Sequence, residues 1–172
     1  MANTFELISA VTVGSGGSST ISFSAIPSTF TDLCLVGSAR TNRVDSSGVD
    51  SLYISLNGST ANQSARTIRA NGSAAVSYTE SNLYPYVANS NATPSTYGNF
   101  SFYISNYTST NPKSTSLDGV SENNQTEAFM TMQAGLWNPG SNVAITSISL
   151  ASAASATIVQ DSTFYLYGVK NA

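Results

Sequence analysis

The sequence predicts an all-β fold, a single jelly-roll-like β-sandwich over residues 1–172. Three features point there. Apolar and polar residues alternate in many short runs, turn residues separate those runs at close intervals, and no stretch carries a convincing long helical period.

Phe5, Leu7, Val11 and Val13 suggest a first strand with a disturbed register, ending at the flexible Gly14 to Ser19, after which a hairpin is expected. Ile21 and Phe23 alternate with Ser22 and Ser24; Pro27 then falls in a connection before Leu33 and Leu35. The clearest alternation is SLYISLNGS, where Leu52, Ile54 and Leu56 share one face and Asn57-Gly58 supplies a turn able to accept positive φ. Asn71-Gly72 predicts a second hairpin, between Arg66 to Ala70 and Ala75 to Tyr78. Glu80 to Thr96, interrupted by Pro85 and Pro94, reads as a long surface loop.

Phe100, Phe102 and Ile104 mark a further strand with an apolar face. Asp118-Gly119 and the stretch SENNQTE read as turn-rich, and AFMTMQAGLW fits a strand or a short helix, with Thr131 and the surrounding pattern favouring a strand. The alternation from Val143 to Leu150 is imperfect, as a bulge or burial on both sides would make it. Phe164, Leu166 and Gly168 oppose Tyr165, Tyr167 and Val169 in a closing strand, which is expected to join the N-terminal strand in one sheet. About eight strands with connections of mixed length favour a jelly roll. An immunoglobulin-like sandwich is the second choice, and its Cys-Trp-Cys signature is absent.

Composition narrows the chemistry. Charged residues make up 9% of the chain, against roughly a quarter in an average soluble protein, so Ser, Thr and Asn carry its hydration. Basic residues are scattered as Arg40, Arg43, Arg66, Arg69, Lys113 and Lys170, which argues against nucleic acid as a partner. Arg66 and Arg69 should lie on opposite faces of a strand. The N-terminus lacks the basic start and apolar core of a secretory signal, and no apolar run has the length to cross a bilayer. Synthesis in the cytoplasm without membrane insertion is expected.

The sequence contains no His, which removes the Ser-His-Asp triad and the commonest general base. Asp118 and Glu122 are the closest carboxylate pair a glycosidase could use, but their solvated, turn-rich setting favours no catalytic role, and we expect no enzyme activity. Asp45 and Asp50 flank Gly48 without the spacing of an EF-hand, so a hydrogen-bonded turn is expected rather than a metal site, and no cofactor is implied. Cys34 reads as a small core residue, and Trp137 as packing. Tyr84 and Tyr86, flanking Pro85, are the best candidates for partner contact, against simple packing beneath their loop.

The strings TDLCLVGSARTN, LYISLNGSTAN, YISNYTSTNPKSTSLDGVSENN, AGLWN, AITSISLASA and STFYLYGVK, spread over most of the chain, resemble small virion proteins of tailed bacteriophages, particularly those of cyanobacteria and other aquatic bacteria. The resemblance implies a β-sandwich assembling symmetrically on the virion surface, as a capsid decoration (cement) protein or as a tail- or head-fibre module that binds cell-surface glycan. It carries over no catalytic residue. The implied partners are copies of the chain itself, a homotrimer being favoured, and other virion proteins such as the major capsid protein. The low charge points the same way, because strand edges without guarding Lys residues gain from being covered.

Overall fold

The computed structural model describes residues 4–122, 128–140 and 143–170. Their strands are β1 (Phe5–Thr12), β2 (Thr20–Phe23), β3 (Asp32–Ala39), β4 (Val49–Leu56), β5 (Gln63–Ala70) and β6 (Ala75–Glu80). There follow β7 (Tyr86–Ala88), β8 (Gly98–Ile104), β9 (Lys113–Ser121), β10 (Phe129–Trp137), β11 (Ile148–Ser152) and β12 (Thr163–Val169). The described residues contain no helix. All strand pairs are antiparallel, in an eight-stranded sheet ordered β1-β12-β3-β8-β9-β10-β5-β6 and a four-stranded sheet ordered β2-β11-β4-β7.

The all-β sandwich expected from the alternation is therefore present, with twelve strands rather than about eight. The surplus lies in two insertions. β5 and β6 enter the chain between β4 and β7, β9 and β10 between β8 and β11, and all four extend the larger sheet beyond β8. Without them the sheets read β1-β12-β3-β8 and β2-β11-β4-β7, four strands against four.

The core forms where these two quartets face each other. Leu52, Ile54 and Leu56 on β4, with Ile21, Phe23, Ile148 and Leu150 beside them, pack in one cluster with Leu33, Leu35, Phe100, Phe102, Ile104, Phe164 and Leu166 from the larger sheet. Ile54 and Phe102, central in the two clearest alternating runs, are fully buried. The chain ends do share a sheet through the β1–β12 pair, whose register shifts between Leu7 and Ser9, the irregularity the sequence suggested. Both Asn-Gly steps are turns. Asn57 and Gly58 have positive φ, and Gly72 has φ 88° at the tip of the β5–β6 hairpin.

Four expectations need correction. Gly14 to Ser19 does not close a hairpin: β1 and β2 belong to different sheets, and the segment crosses between them, pinned by reciprocal Ser18–Ile158 backbone bonds of 2.8 Å. Asp118-Gly119 is not a turn but the interior of β9. Its glycine lets β8 approach closely, since a Cβ there would stand 3.3 Å from Phe100 Cβ and from the Asn99 carbonyl oxygen, a tight contact. Glu80 to Thr96 is not a surface loop throughout. Leu83, Tyr84, Val87, Ala88 and Asn89 are buried, β7 pairs with β4, and the Ile54 and Leu52 N–H groups donate to the Leu83 and Pro85 carbonyls at 2.9 and 3.1 Å. Pro85 fits there because it lies on an edge, where no ladder donor is needed.

The fourth concerns Val143 to Leu150, which is strand only from Ile148. Before it, the Asn57 side chain replaces ladder pairing: its Nδ2 donates to the Ala144 carbonyl at 2.8 Å and its Oδ1 accepts from the Thr146 and Ser147 N–H groups. That bend breaks the alternation, so no bulge is needed. The turn expected across SENNQTE falls mostly on residues 123–127, outside the described residues.

Candidate interaction surface

Tyr84 and Tyr86 are held on the inner side of the sheet extension. Tyr84 is buried at 7% exposure, Tyr86 is half-buried, and the two rings meet edge to face at 5.4 Å. Tyr53 packs on Tyr84 and Phe129 on Tyr86, at 5.7 and 4.9 Å. Arg69 closes the cluster. Its guanidinium donates to the Tyr86 and Tyr78 hydroxyls at 2.9 and 2.8 Å and lies 4.4 Å from the Phe129 ring centre, a cation–π distance. The Tyr84 hydroxyl donates to Glu80 Oε1 at 2.9 Å. Burial first, then Tyr86 and the Glu80 carboxylate, pushes the Tyr84 pKa well up. A stacking platform for sugar needs an exposed ring face; Tyr84 has none, and its place in the fold is the packing one.

Arg66 and Arg69 do lie on opposite faces, and the Arg66 face is the more informative. On β10 the residues turned inward include Thr131 and Gln133, at 1% and 3% exposure, whereas those turned outward are Met130, Met132, Ala134 and Leu136, the two methionines at 60% and 65%. The usual half-buried strand is the reverse, apolar in and polar out. Ile68 lies directly across from Met132 and Val120 across from Met130, and both are exposed. An apolar band thus runs over the outside of β5, β10 and β9. Arg66, Asp118 and Glu122 are charged groups beside it; the first two flank a recess of about 390 Å³ lined by Ile68, Met132 and Ala134, and Glu122 lies by Val120 and Met130. Leu136 lines an adjoining recess of about 400 Å³.

The inward side of the extension is correspondingly polar. Gln133 Nε2 donates to Thr67 Oγ1 at 3.0 Å, but Thr115 Oγ1, Ser121 Oγ, Thr131 Oγ1 and Gln133 Oε1 are buried without a hydrogen-bond partner among the described residues. Leu83 seals this side by occupying the space a Gly135 side chain would need, its Cδ2 only 2.3 Å from the ideal Cβ position. Thr131 and the surrounding pattern favoured β10 as a strand over a short helix; which of its faces points inward could not be read from the sequence, because the inward set is the less apolar one.

The remaining sequence candidates resolve into structural roles. Asp118 is exposed on the outer face of β9. Asp50 is buried and accepts from Thr41, Arg43, Ser152 and its neighbour's N–H, while Asp45 accepts from Ser47 Oγ and N–H, bonds that hold its pKa down. These carboxylates knit a turn, as expected for the segment. Among the described residues no cluster of metal-ligating side chains occurs. Cys34 is buried and free, with its thiol pKa raised by burial. Trp137 is in the core. Among the described residues, no helix is long and apolar enough to cross a membrane.

No protein-family model, curated protein or solved structure matches the chain.

Proposed function

We propose that this chain is a structural protein of a tailed-phage particle, acting as a capsid decoration subunit by symmetric assembly on the particle surface. The observation that carries the reading is β10 of the extension, which buries Thr131 and Gln133 and turns Met130, Met132, Ala134 and Leu136 outward. Such a face gains from being covered by a partner. The connectivity supports a jelly-roll scaffold: with β5, β6, β9 and β10 set aside, the two quartets follow the order 1-8-3-6 and 2-7-4-5 when their eight strands are counted along the chain. The inserted hairpins then carry the docking surface on a conventional scaffold. The sequence resemblance to virion proteins points to the same assembly role, with the major capsid protein as the larger partner.

A fibre module binding glycan is the other function the resemblance implies. The burial of Tyr84 lends it no support at the residues first suggested for it. Whether the subunit is the trimer expected from the resemblance is decided by its mass in solution, and the open strand edge described below argues for pairs.

Particles from the phage that encodes this chain, labelled with an antibody to it and imaged by electron cryomicroscopy, test the proposal. A regular array of the subunit over the capsid is expected. Purified particles without the chain overturn the virion role, and label at the tail tip alone transfers it to receptor binding.

A further inference from the structure

We propose that two copies of the chain pair through β6, antiparallel and about a twofold axis through Ser77, joining their larger sheets into one. The inference deepens the assembly reading by naming a contact. β6 is the outermost strand of the eight-stranded sheet, and five of its six residues are exposed. Its sequence, AVSYTE, has no Lys or Pro, and its pairing with β5 has no bulge. Those are the devices by which sheets protect an edge. The opposite edge has them: β1 carries a register shift at Leu7/Ser9 and the Glu6–Lys170 ion pair at 2.7 Å. The smaller sheet ends in strands of four and three residues, β2 and β7.

The hairpin register tells which backbone groups are open. The Asn71 N–H donates to the Ala74 carbonyl at 3.2 Å, and bonded pairs alternate along an antiparallel ladder, so Arg69/Val76, Thr67/Tyr78 and Ala65/Glu80 are the bonded pairs. The N–H and C=O groups of Ala75, Ser77 and Thr79 therefore point away from β5, and among the described residues no backbone partner meets them. Opposing Ser77 to its own copy sets Ala75 against Thr79 on either side, and these three pairs exchange about six hydrogen bonds.

Side chains fit the same register. Val76 comes opposite Tyr78 of the second copy, twice, an aromatic against a β-branched residue in the close, non-bonded position. Both are part-exposed in the single chain, at 41% and 37%. The acidic Glu80 meets Ala74, so no like charges oppose each other. A shift by two residues in either direction loses one of the three bonded pairs within the strand. Because a twofold relating antiparallel neighbours in one sheet is normal to that sheet, the apolar outer bands of both copies face the same way, as docking on one surface requires.

Native mass spectrometry and sedimentation equilibrium on the full chain test the contact, beside Ser77→Pro and Ser77→Cys. Ser77→Pro removes an N–H that serves no intrachain bond, so its thermal unfolding should match the parent when both are dilute enough to be monomeric, and fall below the parent's where the parent is paired. The parent should be a dimer that Ser77→Pro weakens by a factor of about 100 or more, through two lost bonds and their unpaired acceptors. Oxidised Ser77→Cys should cross-link as a dimer while the parent, whose Cys34 is buried, does not. If Ser77→Pro fails to fold, Ser77→Lys, which sets like charges on the axis, takes its place. A monomeric parent, or an oligomer that these variants leave unchanged, overturns the β6 contact; presence on particles is decided separately by the labelling.

Discussion

Replacing Gln63 by Leu should be among the costliest single changes of a polar residue in this protein. Gln63 begins β5, and its side-chain amide is inserted between β4 and the segment before β7: Nε2 donates to the Ile54 carbonyl at 2.8 Å and Oε1 accepts from the Leu83 N–H at 3.0 Å. It acts there as an extra peptide unit, completing a ladder whose return bond, Ile54 N–H to the Leu83 carbonyl, is direct at 2.9 Å. Gln63 is 8% exposed, and Ile54 and Leu83 are fully buried, so water cannot replace the lost partners. Leu keeps the volume and removes both bonds. Each stranded group costs about 1–3 kcal/mol, and partial closure of the gap returns some of it, leaving about 2–4 kcal/mol. For a chain of this size that lowers Tm by about 5–15 °C. Urea and thermal unfolding of parent and variant measure it. Gln63→Glu supplies the control: its carboxyl can donate and accept only when protonated, so its deficit should shrink as pH falls through its raised folded pKa. A Gln63→Leu midpoint indistinguishable from the parent would refute the bridging role.

Other outcomes follow from the packing and the titrating groups. Phe102→Ala and Ile54→Ala should each cost about 2–5 kcal/mol in urea unfolding, since both side chains are fully buried. Gly37→Ala should destabilise by about 1–3 kcal/mol on the same assay, because the new Cβ would lie 2.5 Å from the Phe100 ring and 3.0 Å from Phe164. Burial, then the hydrogen bond to Asp32, pushes the Tyr103 pKa up to about 12. The folded chain holds that proton above the unfolded value near 10, so the stabilisation is complete below about pH 10 and lost as pH rises towards 12, a loss that Tyr103→Phe should remove in alkaline unfolding curves. Lys170→Ala, which breaks an exposed pair with Glu6 and a cation–π contact 5.1 Å from the Phe30 ring centre, should change stability by about 1 kcal/mol or less.

What the sequence disclosed depended on whether one face of a strand had a single kind of neighbour. Leu52, Ile54, Leu56 and Phe100, Phe102, Ile104 alternate cleanly because each set lies in the one core cluster between the two sheets. Positive φ at Asn57 and Gly72 was legible because few residues accept it. The segment around Tyr84 was not legible. Its strand is three residues long and follows a proline, and its inward side touches both β4 and the extension, so no period survives. Gly119 misled for a related reason: glycine marks a turn or a close approach equally well, and the Phe100 side chain that decides between them is contributed by another strand. Tyr84 and Tyr86 were singled out as candidates for partner contact, against packing beneath their loop, and nothing local revealed Arg69 and Phe129, which reach them from β5 and β10.

Within the larger sheet β10 departs from the usual pattern, and that departure bears on the proposed assembly. In β12, β3 and β8 the inward residues are aliphatic or aromatic and the outward ones include Ser38, Ser101 and Thr163. In β9, β10 and β5 the inward residues include Thr67, Thr115, Thr131 and Gln133 beside Leu117, Phe129 and Trp137, with four oxygens on that side lacking partners among the described residues, while Met130, Met132, Leu136 and Ile68 face out among Ser64, Arg66, Ser114, Ser116 and Asp118. Folding of a lone chain gives no reason for that exchange: burying the hydroxyls and exposing the apolar groups both cost free energy. The cost is recovered when the outer face is covered, because burial there removes apolar area from water without uncovering the inner side. Methionine suits such a face, being flexible enough to fit an irregular partner surface. A register shift of one residue in β10 would bring the methionines inside, and the Gln63–Leu83 bridge together with Leu83 lodged against Gly135 holds the strand against it. The same small set of contacts that fixes the register of the extension thereby keeps its apolar side outward and open to a partner.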